Sequence, residues 1–567
     1  AKSGILEPGK TETVTITFNE EQLKSYDYVN AKTYTLDAGQ YYITAGKNAH
    51  DAINNILATK EVSNTDMLTV EGNAAMVSTY VPANPDVDSS KYAKDSYSNV
   101  EITNQFDEAR GDITYLTRND WLGTWPQHDG EVSDDISTWG NEINGVDADG
   151  KAASYVYGKI IDKELLAKID AFDSLSPIGP ESFDEDIIYG KDNNLTLIHM
   201  RGLDFDDPLW EDLLDQLTPD EYFTMIAQSG YGTEFLESIN KPFNTDADTA
   251  SGLIYGGTGK MFPNKMTIAQ TWNQELASEY GAMIGNEAII GGADGWYAPS
   301  MNIHRTPFSG RNGEYYSEDP FLSGTVASRE VYGAASKGMY TFIKHFAFND
   351  QENHRGDRTG QYGHSTWMNE QAAREIYLLP FEMCMKVGDI KLNYVKQNES
   401  GVYEDATREI RASQAVMTAF NRIGYTWTGA SYPLITGILR NEWAFNGFVL
   451  TDNANTGVFM DGYQMIEAGA DGKLTYAKES ARFTFDKNNK ATYHYGRAAM
   501  HRMLYTIANS KAMNGVMPGS KFINAITLVD KVILSVNIIS PILILLMVVL
   551  TIRRFRVNLR DIDNSNS

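Results

Sequence analysis

The amino-acid sequence predicts an α/β chain: a (β/α)8-type barrel over residues 206–475, a partial β-sandwich before it and a membrane-spanning helix after it. Three observations predict this. Apolar strand candidates that end in polar signatures alternate, from about residue 206, with stretches of helical spacing. The first fifty residues show two-residue alternation punctuated by turn glycines. Residues 532–552 form an uncharged apolar run long enough to cross a bilayer as a helix.

Residues 1–50 contain TETVTITF, alternating around Val14, Ile16 and Phe18, and YTLDAGQYYITAG with Gly39 and Gly46 at turns. These strands are too few to close a sandwich, which takes about seven. The expectation is a chain that begins partway through that domain, its export signal lying before Ala1. Residues 51–205 read as an irregular acidic connecting region, rich in Asp, Asn, Ser and Gly. Asp147 and Asp149 in VDADGK lack the later ligands of a calcium loop and read as a solvated turn.

Between 206 and 475 the strand candidates are SGLIY, DGWYAPSMNI, YTFIKHFAFN, AVMTAFNRI and GFVLTDN. TIAQTWNQELASEYGAMIGNEAI and NEQAAREIYLLPFEMCMK have helical spacing. Chemistry in such barrels sits at the carboxyl ends of the strands, where these polar signatures fall. Residues 476–530 carry the helix YHYGRAAMHRMLYTIANSKAM and a linker, 531–553 the membrane span, and 554–567 a tail. Arg553, Arg554, Arg556 and Arg560, following the apolar run, give that end a cytoplasmic charge pattern and put the body outside the cell, at the cell membrane.

The chain carries 48 Lys plus Arg against 75 Asp plus Glu, a net charge of −27 that repels polyanions and excludes nucleic acid as a partner. Its 9 Trp, 32 Tyr and 23 Phe suit sugar stacking and ordinary cores equally. Cys384 stands alone in an apolar stretch and reads as a buried structural thiol. No set of His, Cys and carboxylates has metal-ligand spacing, and no cofactor is expected. YGGTGKM around Lys260 lacks the glycine and hydroxyl that a phosphate loop needs at Ile254 and Met261.

The strongest chemical signature is GILRNEWAFNGFVLTDN, in which the strand Phe448, Val449, Leu450 delivers Thr451 and Asp452 to the barrel rim. Glycoside cleavage needs an anion near the anomeric carbon, and an ionised aspartate can bond to that carbon or shield its positive charge. The same aspartate could instead cap the next helix. Two further signatures accompany it, MNIHRTPFSGRNGEYYSEDPFLSG at residues 301–324 and KHFAFNDQENHRG at residues 344–356.

Together the three signatures resemble family 3 of the glycoside hydrolases, in its β-glucosidase-like branch, and GILEPGKTETVTITF resembles the fibronectin type III module that accompanies it. The resemblance implies a catalytic nucleophile at Asp452 and sugar-binding roles for Arg311, Lys344 and His345. Arg311 could alternatively pair with Glu314. DTASGL resembles the family's DGPAGL, which implies sugar binding by Asp248, with Asp246 as its rival; Thr249 and Ala250 replace the Gly-Pro pair. Asn453 stands where the family has an aromatic residue and Phe420 where it has a tyrosine, departures that argue against a plain aryl or cello-type glucoside.

A retaining hydrolase needs a second carboxyl about 5 Å from the nucleophile. The resemblance implies that this general acid lies on an α/β sandwich domain, expected upstream of Ala1 in a permuted domain order. A second branch of the family uses an Asp and His pair in a loop beginning KHFPGHG; here His354 and Asp357 lack that frame and are a minor alternative.

The expected function is therefore retaining exo-hydrolysis of a terminal β-linked, glucose-like sugar, with an oligosaccharide or glycoside as partner. A cell-surface carbohydrate-binding protein that has lost catalysis is the rival, and transfer to phosphate or another sugar a third possibility.

Overall fold

The computed structural model describes residues 3–61, 72–86, 91–111, 163–173, 183–255, 257, 259–305, 309–352, 355, 363–398, 400–455, 459–475, 482–522 and 526–565. The chain divides into two units, Ala1–Pro518 and Gly519–Ser567.

In the first unit, β1 (Ser25–Asp27) pairs antiparallel with β2 (Thr33–Thr35). Strand β3 (Tyr41–Thr44) leads through helix α1 (Ala49–Thr59) to its antiparallel partner β4 (Val77–Tyr80). Tyr26, Tyr34 and Leu36 pack with Tyr92 and Ile102 in a small apolar cluster. Residues 11–18, expected as a strand, have no ladder partner among the described residues, and Ile16 is 73% exposed. A strand is held by a neighbour that takes up its backbone groups and by a layer that covers its apolar face. Among the described residues neither is present, and two separate strand pairs stand where a fibronectin type III-like sandwich was expected. Part of the expected irregular region is helical, in α1 and in α2 (Lys163–Asp173); Asp147 and Asp149 lie outside the described residues.

The helices that follow are α3 (Pro219–Ala227), α4 (Gln274–Gly291), α5 (Pro320–Ala335), α6 (Leu379–Met385) and α7 (Lys490–Ala508). Their ends are written in the sequence. Thr218 and Glu221 close a capping box around Pro219. Asn273 accepts from the N–H groups of Glu275 and Leu276, and Gly292 ends α4 at φ 80°. Asp319 caps α5 ahead of Pro320.

Interleaved with these helices are β5 (Gly232–Thr233), β6 (Asn244–Asp248), β7 (Gly295–Tyr297), β8 (Tyr340–Phe346), the hairpin strands β9 (Asp389–Gln397) and β10 (Tyr403–Arg411), then β11 (Ala415–Thr418), β12 (Phe448–Asn453) and β13 (Gly472–Leu474). The order β13-β12-β11-β8-β7-β6-β5 makes one sheet, parallel except for β5. Ser229 donates its N–H to the Lys473 carbonyl at 2.9 Å, and the Asp246 N–H donates to the Tyr231 carbonyl at 3.1 Å. The segment entering β5 thus bridges the two ends of the sheet.

The expected eightfold repeat is therefore reduced, among the described residues, to six parallel strands and one antiparallel. SGLIY is not a strand. The indole N–H of Trp296 ties the carbonyls of Thr249 and Gly252, which turns that stretch back on itself. The strand is instead the preceding polar run NTDAD. The β9–β10 hairpin, absent from the expected strands, anchors Ile390, Leu392 and Ile410 against Ala335.

Helices α4 and α5 cross at bare backbone. A Cβ on Gly281 would lie 2.1 Å from the Glu330 carbonyl oxygen, and one on Gly333 2.1 Å from that of Ser278. Beside this crossing Lys265 and Glu330 form a fully buried ion pair. The segment around residues 103–106 is fastened to the sheet-covering helices by buried Arg374, which bonds Glu370, both carboxylate oxygens of Glu442 and the Thr103 carbonyl.

The second unit is one helix, α8 (Leu528–Ser565), 38 residues with Pro541 inside. It is long and apolar enough to cross a membrane, and it runs on through the four arginines.

Candidate active site

Neighbouring parallel strands end side by side, and their last residues meet. Asp248 closes β6, Lys344 and His345 lie near the end of β8, and Asp452 lies near the end of β12. Arg311 precedes the short helical turn Asn312–Glu314 in the loop after β7. Lys344 Nζ is 3.0 Å from Asp248 Oδ1 and 3.4 Å from Glu314 Oε1. Arg311 donates from Nε to Glu314 Oε2 at 2.7 Å and approaches His345 Nε2 with Nη2 at 3.2 Å. His345 Nε2 in turn lies 3.6 Å from Asp452 Oδ2. All five residues expected from the sequence therefore stand in one chain of contacts. Three of them, Asp248, Arg311 and Lys344, line a cavity of about 400 Å³ together with Glu314, Thr249 and Met261 among others, a volume within the range of small-molecule sites.

The electrostatics assign protons. Burial raises the Glu314 carboxyl, but Lys344 and Arg311 outweigh it and bring it down to about 2. Burial opposes the charge on Lys344, and Asp248 and Glu314 more than restore it. Burial, with Arg311 and Lys344 nearby, drives His345 well below the usual histidine range. Its ring is therefore neutral, and Nε2 accepts from the Arg311 guanidinium, which leaves the proton on Nδ1. A ring in that tautomer cannot donate from Nε2 to Asp452.

Burial raises the Asp452 carboxyl, against the pull of Arg355 and Arg311. Its Oδ1 accepts the N–H of Asn453 at 2.7 Å. Its Oδ2 is buried and accepts no hydrogen bond among the described residues. A carboxylate held by one oxygen, with the other unoccupied beside cations, can attack an electrophilic carbon or stabilise a cation.

The rival Asp246 takes a different place. It is fully buried, accepts from the Tyr340 hydroxyl and is pushed by burial to about 7. Thr249, which replaces a glycine of the resemblance, sits at φ 113°, a left-handed value unfavourable for a branched residue. The Phe420 ring is buried under the Arg355 guanidinium, 4.4 Å away. Asn453 turns its amide to its own loop, accepting from the Asn455 backbone at 3.1 Å. His354 and Asp357 lie outside the described residues.

Lys260 donates its N–H to the Glu287 carboxylate at 2.7 Å, in keeping with a turn rather than a phosphate loop. Cys384 is buried, its thiol pushed up by that burial. No metal-holding group of His, Cys, Asp and Glu occurs among the described residues.

Sequence reasoning missed four members of the constellation. Asn302 clamps the backbone of His345, accepting its N–H and donating to its carbonyl, both at 2.9 Å. Glu352 lies 3.5 Å from Arg311 and 2.9 Å from Arg355. Glu314, weighed only as a partner of Arg311, also faces Lys344. Each falls inside a signature already singled out, and the charged positions of GRNGE and NDQENHR were the available signal.

The arrangement can be set beside known proteins. Residues 233–472 match the Glycosyl hydrolase family 3 N terminal domain. All five expected site residues fall inside this matched segment. The chain is 28% identical over 459 residues to a beta-glucosidase of Ruminococcus albus, an alignment covering 80% of this chain and 39% of that protein. It is 32% identical over 277 residues to beta-glucosidase A of Butyrivibrio fibrisolvens, covering 47% and 29%. A solved beta-glucosidase from Paenibacillus barengoltzii superposes with a TM-score of 0.54 at 21% identity, over 87% of this chain and 47% of that one, a likeness of fold. The chain spans less than half the length of each of these relatives.

Proposed function

We propose that the protein is a retaining exo-β-glycosidase acting on terminal, glucose-like sugars. The observation that carries this reading is Asp452 Oδ2, buried without a hydrogen bond among the described residues and 3.6 Å from His345 Nε2, which itself accepts from the cavity-lining Arg311. Lys344 and Arg311 offer charge-assisted hydrogen bonds to vicinal hydroxyls, and Asp248 accepts from them. His345, neutral and clamped by Asn302, orients Arg311 by accepting from its guanidinium.

In the first step Asp452 Oδ2 bonds to the anomeric carbon while the glycosidic carbon–oxygen bond breaks, and the departing oxygen takes a proton from a carboxylic acid. Water, deprotonated by that same carboxyl, then displaces Asp452. The proton donor is none of the five residues; the family resemblance assigns it to a separate α/β sandwich domain. Helix α8 serves as a single-pass anchor, with the body outside the cell and the arginine-bearing end in the cytoplasm.

A 2-deoxy-2-fluoro-β-glucoside with a dinitrophenolate leaving group needs no proton donor, so it tests the nucleophile by itself. Mass spectrometry is expected to find the fluoroglucosyl label on the peptide carrying Asp452 and none on Asp452→Asn. A label on another residue, or one that survives the substitution, removes the assignment.

The rival reading, a surface carbohydrate-binding protein without turnover, draws on Phe420 and Asn453. The first offers no hydroxyl and the second no ring. Tight glucoside binding with no labelling at any pH would favour it.

A further inference from the structure

We propose that helix α8 pairs in the bilayer with a second copy of itself, along a seam made by Ile533, Asn537, Ser540, Ile544, Met547 and Thr551. The proposal rests on the single-pass anchor reading and adds a partner to it.

Hydrocarbon holds no water to satisfy a polar group, so each amide, hydroxyl and carbonyl within the span needs a protein partner. Between residues 532 and 552 such side chains are Ser535, Asn537, Ser540 and Thr551. Ser535 is satisfied within its own helix, donating its hydroxyl to the Lys531 carbonyl at 2.7 Å. Asn537, Ser540 and Thr551 have no side-chain hydrogen bond among the described residues, and no residue of the run is buried.

Asn537 carries a second deficit. A helical carbonyl accepts from the N–H four residues on, and the residue four on from Asn537 is Pro541, which has no N–H. One residue thus offers an amide that both donates and accepts, and a carbonyl without its usual donor. With the run centred in the bilayer, Asn537 lies about 7.5 Å from the midplane at 1.5 Å per residue. That is well inside a hydrocarbon core about 30 Å thick.

The spacing of these groups selects a face. Asn537, Ile544 and Thr551 recur at every seventh residue, as do Ile533, Ser540 and Met547. The two series interleave at steps of four and three, which is the seam of a left-handed helix pair. All three unsatisfied side chains fall on that seam. Ser535, already satisfied, falls on the opposite side, since two residues turn a helix by about 200°.

Register selects the occupant. Copies of a single-pass chain share one orientation, so two of them lie parallel and bring Asn537 to the same depth as Asn537. The amide is self-complementary: each copy donates to the other's amide oxygen or to its orphaned carbonyl. Lipid tails offer neither donor nor acceptor, whereas a second copy supplies both at the required depth.

Disulfide cross-linking of the full chain in membranes reads the pairing. Met547→Cys lies on the seam and Val549→Cys on the opposite side at nearly the same depth, while Cys384 is fully buried and silent in both. Oxidation is expected to convert Met547→Cys to a covalent dimer and to leave Val549→Cys monomeric. Adding Asn537→Leu to Met547→Cys should weaken association roughly tenfold, read by diluting the chain in lipid. Asn537→Gln keeps an amide and should retain the pairing. In chain that resists alkaline carbonate, three results overturn the seam and leave the anchor standing: equal cross-linking at both positions, none at either, or an Asn537→Leu variant that behaves as Asn537→Gln does. Release of the chain by carbonate overturns the anchor, and the seam with it.

Discussion

Asp452 is pulled two ways: burial favours its neutral form, while Arg355 and Arg311 favour the carboxylate that must attack. Burial wins, so its pKa lies above the ordinary 3.8. Labelling by the activated fluoroglucoside should therefore fall as pH is lowered, with a midpoint above that value. His345 stays neutral throughout, so no second inflection is expected near the usual histidine value of 6.5. An inflection there that disappears in His345→Gln would contradict the proton assignment. The sign for stability follows from the same shift. A carboxyl whose folded-state pKa exceeds its unfolded value penalises folding fully above the folded pKa, partly between the two, and not at all below the unfolded one. Asp452→Asn is thus expected to stabilise the protein by roughly 0.5–2 kcal/mol at neutral pH, a gain in urea midpoint that fades as pH approaches the ordinary carboxylate value. The five expected residues were legible because each sits in a distinctive signature. Asp246 and Asp248 were not separable, because alternation sends both to the same side of β6, and only depth along the strand puts one in the core and the other at the cavity.

Among the elements, the sequence revealed β7, β8, β11 and β12 because they are apolar runs buried on both faces. It concealed β6, whose NTDAD is polar since Asn244 donates to the Tyr340 hydroxyl, Asp246 accepts from it and Asp248 lines the cavity. The β9–β10 hairpin was hidden for a related reason: charged residues alternate with Ile390, Leu392 and Ile410, so the run resembles a solvated loop. Residues 11–18 show the opposite failure, a regular pattern without a covering layer among the described residues. The packing of α4 on α5 turns on atoms that are missing rather than present. Gly281→Ala would drive a methyl group to 2.1 Å from the Glu330 carbonyl oxygen, a backbone atom that cannot swing away. The two helices must part, and the substitution is expected to destabilise by about 1–3 kcal/mol. Urea unfolding followed by fluorescence measures this. A midpoint equal to that of the parent chain would mean that the crossing is looser than its geometry.

For the molecule as a whole, the reach of α8 decides where the site can work. Residues 532–552 rise about 30 Å at 1.5 Å per residue, which equals the hydrocarbon thickness of a bilayer. The flanks differ in charge: Arg553, Arg554, Arg556 and Arg560 follow the apolar run, whereas the chain as a whole carries −27. Positive residues are retained on the cytoplasmic side, so the proposed topology turns the body and its pocket outward, where glycosides too polar to cross a membrane would be met. Full-length protein is expected to stay with the membrane pellet through alkaline carbonate washing and to enter detergent. A chain ended at Pro518, which keeps the whole of the first compact unit, should move to the supernatant with its unfolding midpoint unchanged. Orientation is read separately: protease added to intact cells should digest the body and spare an epitope placed after Ser567. Glutamates in place of the four arginines should weaken that protection by removing the retention signal. Release of the full-length chain by carbonate, or digestion of the tail epitope in intact cells, would show that α8 does not hold the pocket on the outer surface.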